Sequence, residues 1–298
     1  MKSLLISAAA AQQMFDQPAS ADDKCYVLAL SSGDENCVYQ AGVLSGLLQT
    51  PHDPNTHQYD FVTGMSGGAV NAVIFANSAK GDEDQASANM LQFWKDASNT
   101  KLYKEWVGGV TSGLFVEGGL YNNEPMLGFL KDWFKDSDFK RPVNVGITNA
   151  ENGELVDWNE TNMISDYTYQ VLYASLNMAG AFPPAQVLGG QWFDGSAVYD
   201  MDIFTGVNRC KDAGYKESDI VVDVIMTSAP QLKDVDATDF KTLNMLARYL
   251  QISGYYSAMD GVLRAKFAYK DVNWRHMVMP SAAIGSSIRP FNNDEAWM

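Results

Sequence analysis

The chain has 298 residues, 46% hydrophobic and 19% charged, which is ordinary for a folded protein and too apolar for a disordered one. Its 21 basic and 36 acidic residues leave a formal charge of −15, which argues against a nucleic-acid partner and against simple electrostatic docking on anionic membranes, since both need clustered Lys and Arg. Three cysteines are too few for a disulfide-built scaffold, and no run approaches the roughly 18–20 apolar residues of a membrane span.

Residues 1–21 read as a secretory signal peptide. Met1-Lys2-Ser3 is positive, Leu4 to Ala11 is apolar and rich in small residues, and Ala19-Ser20-Ala21 offers a small-x-small cleavage pattern. The alternative is a frayed amphipathic helix, because the apolar core is short and Gln12-Gln13 follow it. Residues 22–298 contain no linker, low-complexity run or repeat, and read as one domain. Tyr26–Leu30 is a short apolar run ending at Ser31-Ser32-Gly33, a buried strand meeting a turn. Val43, Leu44, Leu47 and Leu48 give Tyr39–Leu48 helical spacing. Asp60–Gly64 is a second strand running into a turn, and Ala69–Ala76 a small, apolar helix. Two strands each followed by a helix predict βαβ units and an α/β fold, a mainly parallel sheet flanked by helices.

Further helices are predicted over Asp84–Asp96 and Glu124–Phe134, the second with Asn122-Asn123 as capping candidates and Pro125 in its first turn. Val143–Ile147 and Glu154–Trp158 flank Asn152-Gly153, a hairpin signal. Ile220–Met226 is another buried strand. The sequon Asn159-Glu160-Thr161 is compatible with export.

Gly64-Met65-Ser66-Gly67-Gly68 sits where an apolar strand turns sharply into a helix, as a nucleophile elbow requires. Ser66 is therefore the candidate nucleophile, at a helix N-terminus whose free N–H groups face the place where an oxyanion forms. A serine needs a base. His276 lies late in the chain, as in a Ser-Asp-His triad, but its flank Trp274-Arg275-His276-Met277-Val278 is apolar and lacks a loop-like glycine setting, which favours a structural histidine. With only His52 and His57 besides, and no Cys-x-x-Cys or His-Glu-x-x-His spacing, nothing points to zinc. The other candidate base is a carboxylate: Phe182-Pro183-Pro184 makes a rigid turn, and Gly189-Gly190-Gln191-Trp192-Phe193-Asp194-Gly195 a short strand ending in Asp194.

Together these residues resemble the patatin-like phospholipases, serine lipid acyl hydrolases that use a Ser–Asp dyad without histidine. The resemblance runs from about Tyr26 to about Met226. Gly64–Gly68 is similar to the family's Gly-x-Ser-x-Gly elbow, and Asp194-Gly195-Ser196 to its Asp-Gly-Gly/Ala motif. Ala174-Ser175 through Ala181-Phe182-Pro183-Pro184 is similar to the Ala-Ser…Phe-Pro-Pro segment before that Asp. Gly119-Leu120-Tyr121-Asn122 through Pro125-Met126-Leu127 is similar to the family's Gly-Leu-Tyr/Phe-Asp…Pro-Leu segment.

The departure is the loop after the first strand. Where the family has Gly-Gly-Gly-x-Arg/Lys-Gly, a source of oxyanion N–H donors, this chain has Ser32-Gly33-Asp34-Glu35-Asn36-Cys37. Ser32 and Cys37 are expected to restrict a backbone that needs positive φ angles. Asp34 and Glu35 bring carboxylates to where negative charge develops, and Asn36 removes a cation. Losing one oxyanion donor costs on the order of 10²–10³ in rate.

The resemblance implies a secreted lipid acyl hydrolase of reduced activity, acting on lipid or phospholipid with transient membrane-surface contact, no nucleic acid and no cofactor or metal. Ser66 is its nucleophile, Asp194 its base, and Gly33, Asp34 and Gly67 its oxyanion hole. The alternative is a catalytically inactive paralogue that binds lipid or a protein partner. Because Cys37 stands at a family glycine position, Cys25 and Cys210 remain as an even pair in a chain destined for secretion or an endomembrane lumen. Asp234, Asp236 and Asp239 lack the spacing of a calcium loop and read as solvated surface. Tyr103, Trp106, Phe115, Trp133 and Phe134 read as core or as an acyl channel or lipid-facing lid.

Overall fold

The computed structural model describes residues 23–49, 57–164 and 166–284. The predicted signal peptide lies outside them. In chain order the elements are β1 (Cys25–Leu30), a 3-10 turn (Asp34–Cys37) running into α1 (Val38–Gln49), β2 (Phe61–Gly64), α2 (Gly67–Ala76), α3 (Glu83–Ser98), α4 (Gly109–Phe115), α5 (Glu124–Phe134), β3 (Val143–Asn149), β4 (Leu155–Asn159), α6 (Tyr167–Ser175), β5 (Ala185–Val187), β6 (Gly190–Asp194), α7 (Ile203–Asp212), β7 (Ile220–Ile225), α8 (Thr242–Ala268) and β8 (Asn273–Val278).

One sheet in the order β5-β6-β3-β2-β1-β7-β8 carries the fold, with β4 also paired to β3. From β3 to β8 every neighbour is parallel, while β4, β5 and β6 join antiparallel. Strand β1 is buried at every position because both sheet faces are covered, which is why it reads as an unbroken apolar run. Its side chains alternate between two cores. Tyr26, Leu28 and Leu30 pack with the residues of α1, α2, α3, α5 and α6, whereas Cys25, Val27 and Ala29 pack with α7, β7 and the last turns of α8. Helix α2 is buried along its whole length, as a helix apolar on every face must be. The Cys25–Cys210 disulfide ties β1 to α7 across the second core. Cys37 is free and buried.

The arrangement around β3 positions the site. Val62, Thr63 and Gly64 of β2 pair with Val143, Asn144 and Val145, while Asp194, Phe193 and Trp192 of β6 pair with Ile147, Thr148 and Asn149. Strand β4 overlaps both stretches, from Asn144 to Thr148. A strand has two edges, so β2 and β6 must share the edge that β4 leaves open. They run toward each other along it, and their C-terminal ends, Gly64 and Asp194, stop opposite residues two apart on β3, roughly 7 Å along the strand.

Six elements lay outside the sequence-based reading: α4, α6, β5, α7, α8 and β8. Helix α8 is largely exposed, with Met245, Leu246, Tyr249 and Leu250 open to solvent and only Ala258, Val262 and Ala265 seated in the core among its later turns. Strand β8 carries Arg275 and His276 in mid-strand. Both are held by the buried Asp223 of β7, which accepts from the Arg275 guanidinium (3.0 Å), the His276 N–H (3.0 Å) and the Tyr59 hydroxyl (2.7 Å). Among the described residues, no helix is long and apolar enough to cross a membrane.

Candidate active site

Ser66 stands between β2 and α2 at φ 56° and ψ −128°, a conformation that ordinary residues avoid. Three glycines permit this turn by letting backbones touch. A Cβ on Gly64 would lie 2.1 Å from the Gly68 carbonyl oxygen, one on Gly67 2.3 Å from that of Asp34, and one on Gly68 2.3 Å from that of Ser31. The elbow is thus clamped on all sides, which is what holds a strained residue in place. Ser66 is 1% exposed and occupies the N-cap position, yet its side chain makes no capping bond. Its N–H donates to the Ser175 hydroxyl at 3.0 Å. The N–H groups of Gly68 and Ala69 turn back to the carbonyls of Met65 and Ser66, leaving that of Gly67, first in α2, without an intrahelical carbonyl.

Asp194 reaches the same point from the other side. Its N–H donates to the Asn177 carbonyl at 3.1 Å, and its carboxyl accepts the Ser196 N–H at 2.8 Å. Gly195 is required for β6 to end here, because a Cβ would lie 2.3 Å from Met65 Sδ and 2.4 Å from the Gly146 carbonyl oxygen. Ser66 and Asp194 thus close on one point from the facing ends of β2 and β6. Burial pushes Asp194 up to about 6, against the opposing pull of Ser66 and Ser196. At neutral pH it is therefore mostly ionised and close to the balance point a general base needs.

The atypical loop differs from expectation in one respect. The left-handed backbone positions are Gly33 (φ 153°) and Asp34 (φ 48°), with neither Ser32 nor Cys37 at positive φ. Glycine is fixed at 33, since a Cβ there would lie 2.4 Å from Thr227 Oγ1, and a short polar Asp is tolerated at 34. Ser32 braces the loop instead of straining it: its hydroxyl and its N–H donate to the carboxyl and the carbonyl of Asp200, and its own carbonyl accepts from Thr227. Cys37 packs beside Gly67, and burial followed by the Asp34, Asp200, Asp194 and Glu35 carboxylates pushes its thiol well up, so it stays protonated. A buried amide chain anchors the loop to the sheet. Gln40 donates to the Ser31 carbonyl (2.8 Å), Asn71 to the Cys37 carbonyl (2.8 Å) and to Gln40 (2.9 Å), and Trp94 to Asn71 (2.8 Å).

Asp34 does more than lend its backbone. Its carboxyl faces those of Glu35 and Asp194, and desolvation, reinforced by both, raises Asp34 well above the ordinary carboxylate range against the opposing pull of Ser66. Sequence reasoning found Ser66, Asp194, Gly33, Asp34 and Gly67, which the structure brings together. It missed this carboxyl cluster, Ser175 as the partner of the Ser66 N–H, and Asp200. Ser175 lay within a quoted motif, but nothing in the sequence tied Asp200 to Ser32.

His276 stays away from the elbow. Register puts it opposite Asp223, level with Leu28 and Val62, three strands across from β2 and so roughly 14 Å from it. Its ring stacks on His57 at 5.7 Å, before the start of β2. The aromatic set divides: Phe134 is core, Tyr103 and Trp133 pack partly against it, and Phe115 on α4 is 78% exposed. Asp234, Asp236 and Asp239 are exposed. Among the described residues, no group of three or more His, Cys, Asp or Glu is arranged to hold a metal ion.

The family model for patatin-like phospholipases matches residues 28–205, well over half of the chain and spanning both Ser66 and Asp194. No curated protein sequence matches. Among solved structures the chain is similar to VipD from Legionella pneumophila, with 12% identity and a TM-score of 0.44; the match covers 93% of this chain and 65% of that one.

Proposed function

This chain belongs to the patatin-like phospholipase family, and we propose that it is a lipid acyl hydrolase in which Ser66 is the nucleophile and Asp194 the general base. The observation that carries the reading is the meeting of β2 and β6 on one edge of β3, which brings their C-terminal ends, followed by Ser66 and ending at Asp194, to one place. Asp194 takes the hydroxyl proton as Ser66 Oγ attacks the ester carbonyl, and returns it to the departing alkoxide. A water molecule, deprotonated by the same carboxylate, then cleaves the acyl-enzyme. Lipid and phospholipid are the substrate class, met at a membrane surface.

Turnover is slower than a glycine loop would give, because Asp34 and Glu35 stand where the family pattern has donors and a cation. A secreted or endomembrane-lumen location is supported by the leader-like residues 1–21 and by the Cys25–Cys210 bridge, which oxidising compartments favour. A second reading, a binding paralogue without turnover, is favoured by one observation, the acidic residue Asp34 packed by its backbone against Gly67 of the elbow. The test is hydrolysis of a short-chain p-nitrophenyl ester and of phosphatidylcholine vesicles, with Ser66→Ala as control. Turnover lost in Ser66→Ala supports the hydrolase. Turnover at background in both proteins leaves the binding reading.

A further inference from the structure

Two apolar segments stand open beside the elbow. From Trp106 to Val116, leading into and along α4, no residue is charged, and Val107, Leu114, Phe115 and Val116 are exposed. This segment is fastened to the site by short steps. The Trp106 indole donates to the Gly119 carbonyl at 2.9 Å, and the N–H groups of Leu120 and Tyr121 donate to the carbonyls of Gly180 and Ala181. The same connection, at Asn177, accepts the Asp194 N–H. The second segment is the first half of α8, residues 242–257, whose one charged residue is Arg248. Met245, Tyr249, Ile252 and Tyr256 are exposed there and, at helical spacing, share one side.

Chain direction decides where that half lies. Strands β7 and β8 are parallel, so α8 leaves the C-terminal end of β7 and returns to the start of β8. Only its later turns, at Ala258, Val262 and Ala265, seat in the core. The sixteen residues before them, about 24 Å of helix, therefore lie toward the end where β7 stops. Strands β1 and β2 run parallel to β7, so this is also the end where β2 delivers Ser66. The two segments reach it from opposite faces of the sheet, since Phe182, packed against Gly119, belongs to one core and α8 to the other.

We propose that these segments form one lipid-docking face around Ser66, and that the face fits an electroneutral membrane of choline headgroups. Its role rests on the hydrolase reading, because it brings the ester to the nucleophile. Charge selects this occupant. In a chain of net charge −15, segments with a single cation are not drawn to anionic lipid, which needs clustered Lys and Arg. They bind by burying apolar side chains. Glu105 and Glu117, exposed at the two borders of the α4 segment, repel phosphatidylserine and complement the outermost choline ammonium of a zwitterionic lipid. A flat lipid surface also meets both segments at once, with the elbow between them.

The experiment measures co-sedimentation of the Ser66→Ala protein, which leaves the lipid intact, with vesicles of phosphatidylcholine and of phosphatidylcholine mixed with phosphatidylserine, at low and high salt. Two further variants in that background change Phe115→Ser with Val116→Ser, and Tyr249→Ser with Tyr256→Ser, and unfolding curves establish that each is folded. Binding to phosphatidylcholine should hardly change with salt and should weaken at low salt when phosphatidylserine is added. Each pair of changes should weaken it by about tenfold or more. No binding to phosphatidylcholine, binding only to the anionic mixture that salt abolishes, or folded variants that bind as tightly as their parent would overturn the proposal. So would a dimer, seen by light scattering, that fails to bind vesicles and that Tyr249→Ser with Tyr256→Ser dissociates, since a second copy then covers α8. Vesicle binding by a wild-type protein without turnover removes the hydrolase reading and leaves the docking face, whereas Ser66-dependent ester turnover without vesicle binding does the reverse.

Discussion

Replacing the buried base should make the protein more stable while destroying its activity. Asp194 is 5% exposed and faces no cation, and burial lifts its carboxyl from 3.8 to about 6. Between those values the folded protein still holds the proton that the unfolded chain has released. Stability therefore falls as pH rises through this window, and the loss persists above it. At about 1.4 kcal/mol per tenfold change in proton affinity, the cost of holding Asp194 ionised is about 3 kcal/mol. Asp194→Asn removes the charge and keeps an oxygen to accept the Ser196 N–H. The variant should exceed wild type by up to about 3 kcal/mol at pH 8, roughly 6–12 °C in Tm, with the difference fading by pH 4. Urea and thermal unfolding of both proteins at the two pH values measure it, since titrating groups outside the Asp34, Asp194 and Asp200 cluster cancel in the comparison. An Asn variant no more stable than wild type at pH 8, or one equally stabilised at pH 4 and pH 8, would refute the reasoning.

Four other outcomes are expected. Restoring the loop by Ser32→Gly, Asp34→Gly, Asn36→Arg and Cys37→Gly together should raise kcat by about 10²-fold, and Ser66→Ala in that background should abolish the gain. Asn71→Ala strands the Cys37 carbonyl, the Gln40 amide oxygen and the Trp94 N–H in the core, so chemical unfolding should report a loss of about 3 kcal/mol or more. Breaking the Cys25–Cys210 bridge, by reductant or by paired Cys→Ala changes, should cost about 2–5 kcal/mol in the same measurement. His276→Ala should leave kcat within about twofold of wild type, because β8 lies three strands, roughly 14 Å, from β2; a loss above tenfold would bring the triad back.

Much of the parallel sheet and the helices beside it were legible because these elements obey simple periods. Continuous apolar runs at Tyr26–Leu30 and Ile220–Met226 are what a strand covered on both faces requires, and Asn152-Gly153 marks the turn between β3 and β4. The elbow was legible because only glycine survives where Gly64, Gly67 and Gly68 press on neighbouring carbonyls. The C-terminal part was not. Helix α8 buries a face only over its last turns, at Ala258, Val262 and Ala265, so no 3.6-residue stripe runs along its length, and in β8 Arg275 and His276 interrupt an apolar run because Asp223, 52 residues before Arg275, holds them. The loop misled for a related reason. Positive φ was assigned to Ser32 and Cys37 by analogy with glycines, but Thr227 decides that Gly33 must be the residue without a Cβ, and Asp200 decides what Ser32 does.

These long-range partners also explain why so acidic a loop can sit beside a nucleophile. Asp200 is pushed up to about 6 by burial, with Asp194 adding to the rise and the Ser32 hydroxyl opposing it. Asp34 is raised by Glu35 and Asp194 in the same direction. Each carboxyl thus makes its neighbours harder to ionise, and a group of this kind releases protons in steps that belong to the set and not to any member. Within it Ser66 and Ser196 favour the Asp194 anion against burial. The acidic loop and the base therefore belong to one buried cluster, and its burial and mutual repulsion hold down the negative charge that the sequence places beside the nucleophile.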